Sequence, residues 1–193
     1  MLISEFLTTS FQNVRSSKRT DELHKVLLDE VLNNNSDWAE YGWQFEYQLP
    51  EDGFGGTFDI DIAGFKNGEL KVAILAKAIN SNVNKNIKNY ANTTIGEAAR
   101  IYHAPGVELE KVLFVSVLPR VAPRFNNQGN ITGFDEVVSA KNRTKVNGIL
   151  NLQYGGVVES KDLYYEIENL KQMTNKEEFD VIQIKNLDEL VIA

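Results

Sequence analysis

The hydrophobic pattern of the chain changes from helical spacing to strict alternation within its first 50 residues. Residues 20 to 33 are predicted to form a helix, because apolar side chains recur there every three or four positions. The residues that form this stripe are Leu23, Val26, Leu27 and Val31. Residues 43 to 49 alternate between apolar and polar side chains, which predicts a half-buried strand.

The next two predicted strands form a hairpin. Residues 58 to 62 alternate, residues 71 to 78 are largely apolar, and Asn67-Gly68 between them indicates a tight type I′ turn. Because successive side chains of a strand point to opposite faces, Asp59 and Asp61 are predicted to share one face. Lys77 lies near the end of the second strand, where the hairpin would bring its ammonium close to these carboxylates.

A helix and a buried strand are predicted after the hairpin. Residues 80 to 92 are rich in asparagine and lysine and lead into a predicted helix at residues 94 to 103. Residues 112 to 118 form a continuous apolar run, which predicts a central strand buried on both faces.

The last third of the chain is predicted to complete the fold with one helix and one strand. Residues 126 to 129 form a hairpin or loop tip, residues 161 to 173 a helix, and residues 179 to 184 a final strand. The resulting order, α-β-β-β-α-β-α-β, predicts an α/β fold with a mixed sheet and flanking helices. Residues 1 to 193 are expected to form a single domain.

Composition narrows the class of protein. The 193 residues are 42% hydrophobic and 24% charged, as in ordinary globular domains. The absence of cysteine excludes disulfides and zinc–thiolate sites and fits the reducing cytoplasm, where we expect the protein to reside. No apolar run is long enough for a membrane span, and residues 1 to 11 lack the basic start of a secretory signal. A net charge of −7 argues against indiscriminate nucleic-acid binding.

The acids of the hairpin suggest metal chemistry. Hard cations such as Mg²⁺ bind carboxylate oxygens together with water and substrate phosphate, and can promote phosphodiester cleavage. Lys77 could hold the attacking water or neutralise charge on the phosphate. The alternative is structural: two acids on the solvent face of an amphipathic strand, and a lysine at a strand end.

A helix, an acid-bearing hairpin, a second helix and a further strand follow one another in the order typical of the PD-(D/E)xK nuclease superfamily. The chain resembles this superfamily, which includes the type II restriction endonucleases, over residues 20 to 118 and the last strand. Asp61 matches the signature aspartate, with Asp59 as the alternative, and Lys77 matches the signature lysine. The resemblance implies a restriction-endonuclease-like fold and a Mg²⁺-dependent DNA endonuclease that acts as a homodimer.

The chain departs from the superfamily motif at Leu75, where an acid is expected two residues before the lysine. The acid could have migrated, the protein could be a degenerate relative that does not cleave, or the chain could carry an inactivating substitution. Glu30, on the apolar stripe, matches the extra glutamate that the first helix often supplies, with Glu22 as the alternative. The resemblance thus implies Asp61, Glu30 and Ala76 as metal contacts, with Asp61, Lys77 and Glu30 as catalytic residues.

Glu97 is the other candidate for a migrated acid. It follows Thr94 by three residues, which is the spacing of a capping box at a helix start. Capping is the preferred interpretation of this pair, because it requires no catalytic role.

Basic residues after the hairpin are candidates for nucleic-acid contacts. Lys85 and Lys88 could contact phosphates, and Arg120 and Arg124 lie beyond the central strand. The alternative is a solvated surface. Two further hypotheses compete with the endonuclease: a nucleic-acid-binding or protein-interaction domain that keeps the fold without the site, and a structural protein.

Overall fold

A computed structural model describes residues 3–12, 22–137, 139–181 and 184–185. The helices of this part are α1 (Ile3–Gln12), α2 (Leu23–Asn34), α3 (Val83–Tyr102) and α4 (Ser139–Tyr154). The strands are β1 (Gly42–Leu49), β2 (Phe58–Lys66), β3 (Glu69–Ala78), β4 (Lys111–Pro119), β5 (Val121–Phe125), β6 (Ile131–Glu136), β7 (Val158–Ile167) and β8 (Ile184–Lys185). The protein is therefore α/β, as the pattern predicted.

One mixed sheet organises the molecule, with the strand order β1-β2-β3-β4-β7-β8. The pairs β1–β2, β2–β3 and β7–β8 are antiparallel, whereas the pairs β3–β4 and β4–β7 are parallel. The two parallel connections pass through α3 and α4. Successive right-handed crossovers in one direction along a sheet place their helices on the same face. The β5–β6 pair forms a separate two-stranded ribbon.

Two apolar layers cover the sheet. Residues of α1 and α2 pack on one face, where they bury the side chains of Ile74 and Val115. Residues of α3 and α4 pack on the other face, against Leu75 and Phe114. This division follows from strand alternation, because neighbouring residues of β3 and β4 point to opposite faces. The predicted burial of β4 on both faces is confirmed.

The hairpin prediction is also confirmed. Asn67 and Gly68 have φ angles of 53° and 83°, and Lys66 pairs with Glu69 across this two-residue turn. Positive φ at both central residues defines the type I′ turn, whose twist matches that of the flanking strands. The tip at residues 126 to 129 also forms a hairpin, which joins β5 to β6.

Two segments of the chain differ from their prediction. The asparagine- and lysine-rich segment is not a lead-in: α3 begins at Val83, whose side chain is buried. Residues 161 to 173 were predicted as a helix, but β7 runs to Ile167 and a short 3-10 helix follows. The spacing of Leu163 and Leu170 fits a helix, yet the open edge of β4 pairs with this segment and satisfies its backbone.

The predicted last strand also differs. Residues 179 to 181 belong to a 3-10 helix, Lys176–Val181, and the described residues that form a strand here are those of β8. Helices α1 and α4 were not predicted, and α4 supplies the second crossover. Among the described residues, no helix has the length and apolar character needed to cross a membrane.

Candidate active site

Asp61 lies where the two strands of the hairpin separate. Pairing of β2 with β3 extends from the turn to Ile62 and Ile74; beyond that point β2 follows β1, and β3 follows β4. The Oδ2 atom of Asp61 accepts a hydrogen bond of 2.7 Å from the backbone N–H of Ala76. The aspartate thus satisfies a donor that lost its antiparallel partner, and its carboxylate is held inside the gap.

The alternation of β2 breaks at Asp61. Phe58 and Ile60 pack in the layer of α3 and α4, whereas Ile62 packs in the layer of α1 and α2. Asp59 is exposed and accepts a hydrogen bond from Gln48. Asp61 differs from Asp59 in that its carboxylate is held in the gap between β2 and β3, so of the two predicted acids only Asp61 belongs to the site.

A distortion of β1 accompanies this break. The flanking pairs Phe45–Ile62 and Tyr47–Ile60 place Glu46 opposite Asp61. Glu46 has a φ angle of 51°, in the left-handed region that residues with side chains seldom adopt. Such conformations persist where the surrounding structure imposes them, and they cluster at functional sites.

Lys77 and Glu97 meet beside this gap. The Nζ atom of Lys77 lies 3.5 Å from Oε2 of Glu97, which α3 brings over the sheet. Glu97 and Thr94 lie in the interior of α3, since this helix begins at Val83. The capping-box interpretation is therefore wrong.

Glu97 has an unsatisfied oxygen at this position. Its Oε2 atom is buried and, among the described residues, has no hydrogen bond of good geometry, since the Lys77 ammonium lies 3.5 Å away. A buried polar atom without a partner requires a specific explanation, such as the binding of an ion or a catalytic role. Leu75 occupies the sequence position at which the superfamily motif has its second acid. Its side chain lies in the layer against α3.

Burial and mutual charge perturb both carboxyl groups. Burial raises the pKa of Asp61, against the opposing effects of the Ala76 N–H, His24 and Lys77. Burial also raises the pKa of Glu97, although the charge of Lys77 opposes it, and the charge of Asp61 adds to the rise. Asp61, Lys77 and Glu97 thus form one electrostatic group, of the kind found where titratable side chains do chemical work.

His24 approaches Asp61 from the opposite layer. Its Nε2 atom lies 3.8 Å from Oδ1 of Asp61, and its Nδ1 atom lies 2.7 Å from Oε1 of Glu46. One potential ligand atom from each of these three residues lies within 4.8 Å of the others. Sequence analysis missed His24, which follows the buried Leu23 on α2; two histidines far apart in sequence give no ligand spacing.

Glu30 is not brought to this group. It lies six positions after His24 on α2, which corresponds to about 9 Å along the helix and roughly 240° around it. Glu30 instead lines a groove with Ile3 and Glu5 of α1. Glu22, the alternative, is exposed and pairs with Lys25. The expected place of Glu30 beside Asp61 is therefore taken by His24 on one side and Glu97 on the other.

The predicted nucleic-acid contacts have mixed surroundings. Arg120 lies 3.7 Å from Glu166, and Arg124 lies 3.6 Å from Asp135, so acids of neighbouring strands partly neutralise both guanidinium groups. Lys85 and Lys88 lie in the first turns of α3, but their side chains are outside the described part of the chain. Their contacts with nucleic acid stay predictions.

The donor set fits a divalent cation. Asp61 and Glu97 offer carboxylate oxygens, of which Oε2 of Glu97 is buried and unsatisfied, and such oxygens are ligands that Mg²⁺ and Mn²⁺ prefer. Ala76 was predicted to contact the metal. In the structure its backbone N–H donates to Asp61 and so positions that carboxylate.

Comparison of the chain with protein-family models, curated proteins and solved structures found no match.

Proposed function

We propose that the protein is a metal-dependent phosphodiesterase, and specifically a Mg²⁺-dependent DNA endonuclease with a restriction-endonuclease-like fold. The observation that carries this proposal is the convergence of Asp61, Lys77 and Glu97, with a buried carboxylate oxygen of Glu97 that lacks a hydrogen bond. Glu97 would replace the acid that Leu75 removes from the motif. In this proposal the acid has migrated to α3, and not to Glu30.

Each of the three side chains has a distinct proposed role. Asp61 and Glu97 would hold the cation, and the Ala76 N–H keeps Asp61 oriented toward it. A bound divalent cation supplies Lewis acidity and neutralises negative charge at the scissile phosphate. Lys77, which is partly exposed, can reach a phosphate oxygen or an attacking water while it stays paired with Glu97.

The order of structural elements supports nucleic acid as the substrate class. An acid-bearing antiparallel hairpin, β2–β3, is followed by a helix that connects β3 to its parallel neighbour β4. The superfamily that the sequence resembles has the same order. Cleavage of both strands of a duplex requires two sites, so a homodimer is part of the proposal.

Plasmid nicking in Mg²⁺ and Mn²⁺ tests the proposal. We expect Asp61→Asn, Lys77→Met and Glu97→Gln each to lower the nicking rate at least about 100-fold, because the two acids would hold the cation and Lys77 would act at the phosphate. Asp59→Asn is the matched control for Asp61, since it changes an exposed acid of the same strand. Glu30→Gln is the control for the alternative acid.

Leu75→Glu separates the remaining explanations. Leu75 is buried against α3, so a carboxylate there would lie in an apolar layer and crowd Asp61 and Glu97. A migrated acid predicts that this variant nicks no faster than the native protein. If the native protein is inactive and Leu75→Glu restores nicking, the acid is missing. Inactivity of both, with DNA binding retained, would favour the non-catalytic binding domain.

A further inference from the structure

The imidazole of His24 is held between two carboxylates in an uneven way. Its Nδ1 atom contacts Glu46 at hydrogen-bond distance, 2.7 Å, whereas its Nε2 atom faces Asp61 across 3.8 Å. A neutral imidazole has one N–H donor and one lone pair. When Nδ1–H donates to Glu46, the lone pair of Nε2 is directed at Oδ1 of Asp61, and the gap between these two atoms is where a cation would bind.

The 3.8 Å separation suits a cation in that position. Metal ions of the first transition row lie roughly 2.0–2.2 Å from imidazole nitrogen and carboxylate oxygen. One ion can therefore contact both Nε2 of His24 and Oδ1 of Asp61 without movement of either element. Metal-binding histidines usually donate their other N–H to a carboxylate, which fixes the ring and its tautomer. Glu46 provides that carboxylate.

The backbone of Glu46 is consistent with this role. Glu46 lies on β1 opposite Asp61, and its left-handed conformation, φ 51°, directs its side chain toward His24 of α2. The side chain is 64% exposed, so burial of apolar surface does not explain the distortion.

We propose that His24 and Asp61 bind a transition-metal ion such as Mn²⁺, Co²⁺ or Zn²⁺, and that Glu46 is the positioning residue that orients His24. Imidazole favours these ions, whereas Mg²⁺ favours an all-oxygen set. The inference deepens the proposed function, because Asp61 is shared, and it names the class of ion that the α2 side of the site selects. Glu97 lies on the α3 side and belongs to a different ligand set.

Titration of the full chain with the metal alone tests this inference. Co²⁺ binding is followed by visible absorption, Mn²⁺ binding by electron paramagnetic resonance, and Mg²⁺ binding by calorimetry. We expect His24→Gln to weaken Co²⁺ and Mn²⁺ binding at least about 10-fold, and Glu46→Gln to weaken them roughly 10-fold. Mg²⁺ affinity should change less than about threefold in both variants. His103→Gln, at an exposed position, is the matched histidine control.

The contrary results are equally defined. Unchanged Co²⁺ and Mn²⁺ binding in His24→Gln, or an equal loss of Mg²⁺ binding, would overturn the inference and leave His24 as a structural contact of two carboxylates. If His24→Gln does not fold, Glu46→Gln at its exposed position decides the question. Co²⁺ binding through His24 without any nicking would refute the proposed function alone. Nicking in Mg²⁺, with Co²⁺ binding that ignores His24, would refute this inference alone.

Discussion

Two carboxylates lie about one helical turn apart along α3, Asp52 against Arg100 and Glu97 on the helix itself, and their surroundings are opposite. Asp52, in the loop between β1 and β2, is fully buried and accepts hydrogen bonds from the N–H groups of Phe54 and Gly56 and from Arg100 of α3. Burial acts to raise the pKa of Asp52, but these donors outweigh it, and the pKa is lowered. Gly53 fits against α3 here, where a side chain would collide with the helix backbone.

Glu97 lies three residues before Arg100 and lacks such support. Burial raises its pKa, against the opposing charges of Lys77, which lies at ion-pair distance, and of Arg100. The same helix therefore presents a satisfied carboxylate–guanidinium pair and an unsatisfied carboxylate–ammonium pair. A satisfied buried charge fixes a loop, whereas an unsatisfied one keeps a ligand position open. Function is thus expected where the hydrogen bonding is incomplete.

The largest expected effect separates the two regions by activity. Glu97→Gln should lower nicking at least about 100-fold, because the amide removes a charge that would hold the cation. Its melting temperature should stay the same or rise slightly, because burial disfavours the charged form that it removes. Nicking assays and thermal unfolding of one preparation measure both. A strongly destabilised Glu97→Gln would show that the two carboxylates do not differ as described.

The second effect is on stability. Asp52→Asn should lower the melting temperature by roughly 10 °C, because the amide cannot accept from Arg100 and two backbone donors as a carboxylate does. Glu51→Gln, the exposed neighbour, is the matched control. The folded Asp52→Asn protein should keep most of its nicking activity below its melting temperature. Loss of activity without loss of stability would contradict a structural role for this pair.

A third effect sharpens the contrast through metal binding. Mn²⁺ at about 20 times its dissociation constant stabilises a folded protein by about 1.8 kcal/mol, which corresponds to roughly 5 °C in melting temperature. We expect this rise in the native protein and in Asp52→Asn, and its absence in Asp61→Asn. Differential scanning fluorimetry with and without Mn²⁺ measures the rise. An equal rise in Asp61→Asn would place the metal elsewhere.

The sequence predicted those features that depend on local signals. Asn67-Gly68 indicated the turn, and the turn paired the two strands that carry Asp61 and Lys77, so these two residues could be nominated together. The continuous apolar run identified β4 in the same way. Period and turn chemistry are encoded within a few residues, which makes such elements accessible without coordinates.

The remaining parts of the site depend on contacts between layers. His24 and Glu97 reach Asp61 only because α2 and α3 dock on opposite faces of the sheet, and no spacing along the chain encodes that meeting. The left-handed Glu46 interrupts an alternation that otherwise predicts β1 correctly. Glu30 shares a helix with His24, but its position along that helix carries it toward α1.

The smallest expected effect is a difference in the pH at which the two regions titrate. The lowered pKa of Asp52 means that its contribution to stability is present above the unfolded value of about 3.9 and is lost as pH falls through the folded value. The raised pKa of Glu97 has the opposite sign. Its charged form costs stability above the folded value, and that cost disappears as pH falls toward the unfolded value of about 4.3.

Melting curves across pH should therefore converge in two separate ranges. Any advantage of Glu97→Gln over the native protein should be present at pH 7 and vanish as pH falls through the raised pKa of Glu97, while the deficit of Asp52→Asn is still complete. That deficit should shrink only below about pH 4, where the native Asp52 also becomes protonated. Metal-free buffer is required, because a bound cation would keep Glu97 ionised. Convergence of both variants in one range would mean that the two carboxylates have similar environments, and the distinction between a supporting and an open carboxylate on α3 would fail.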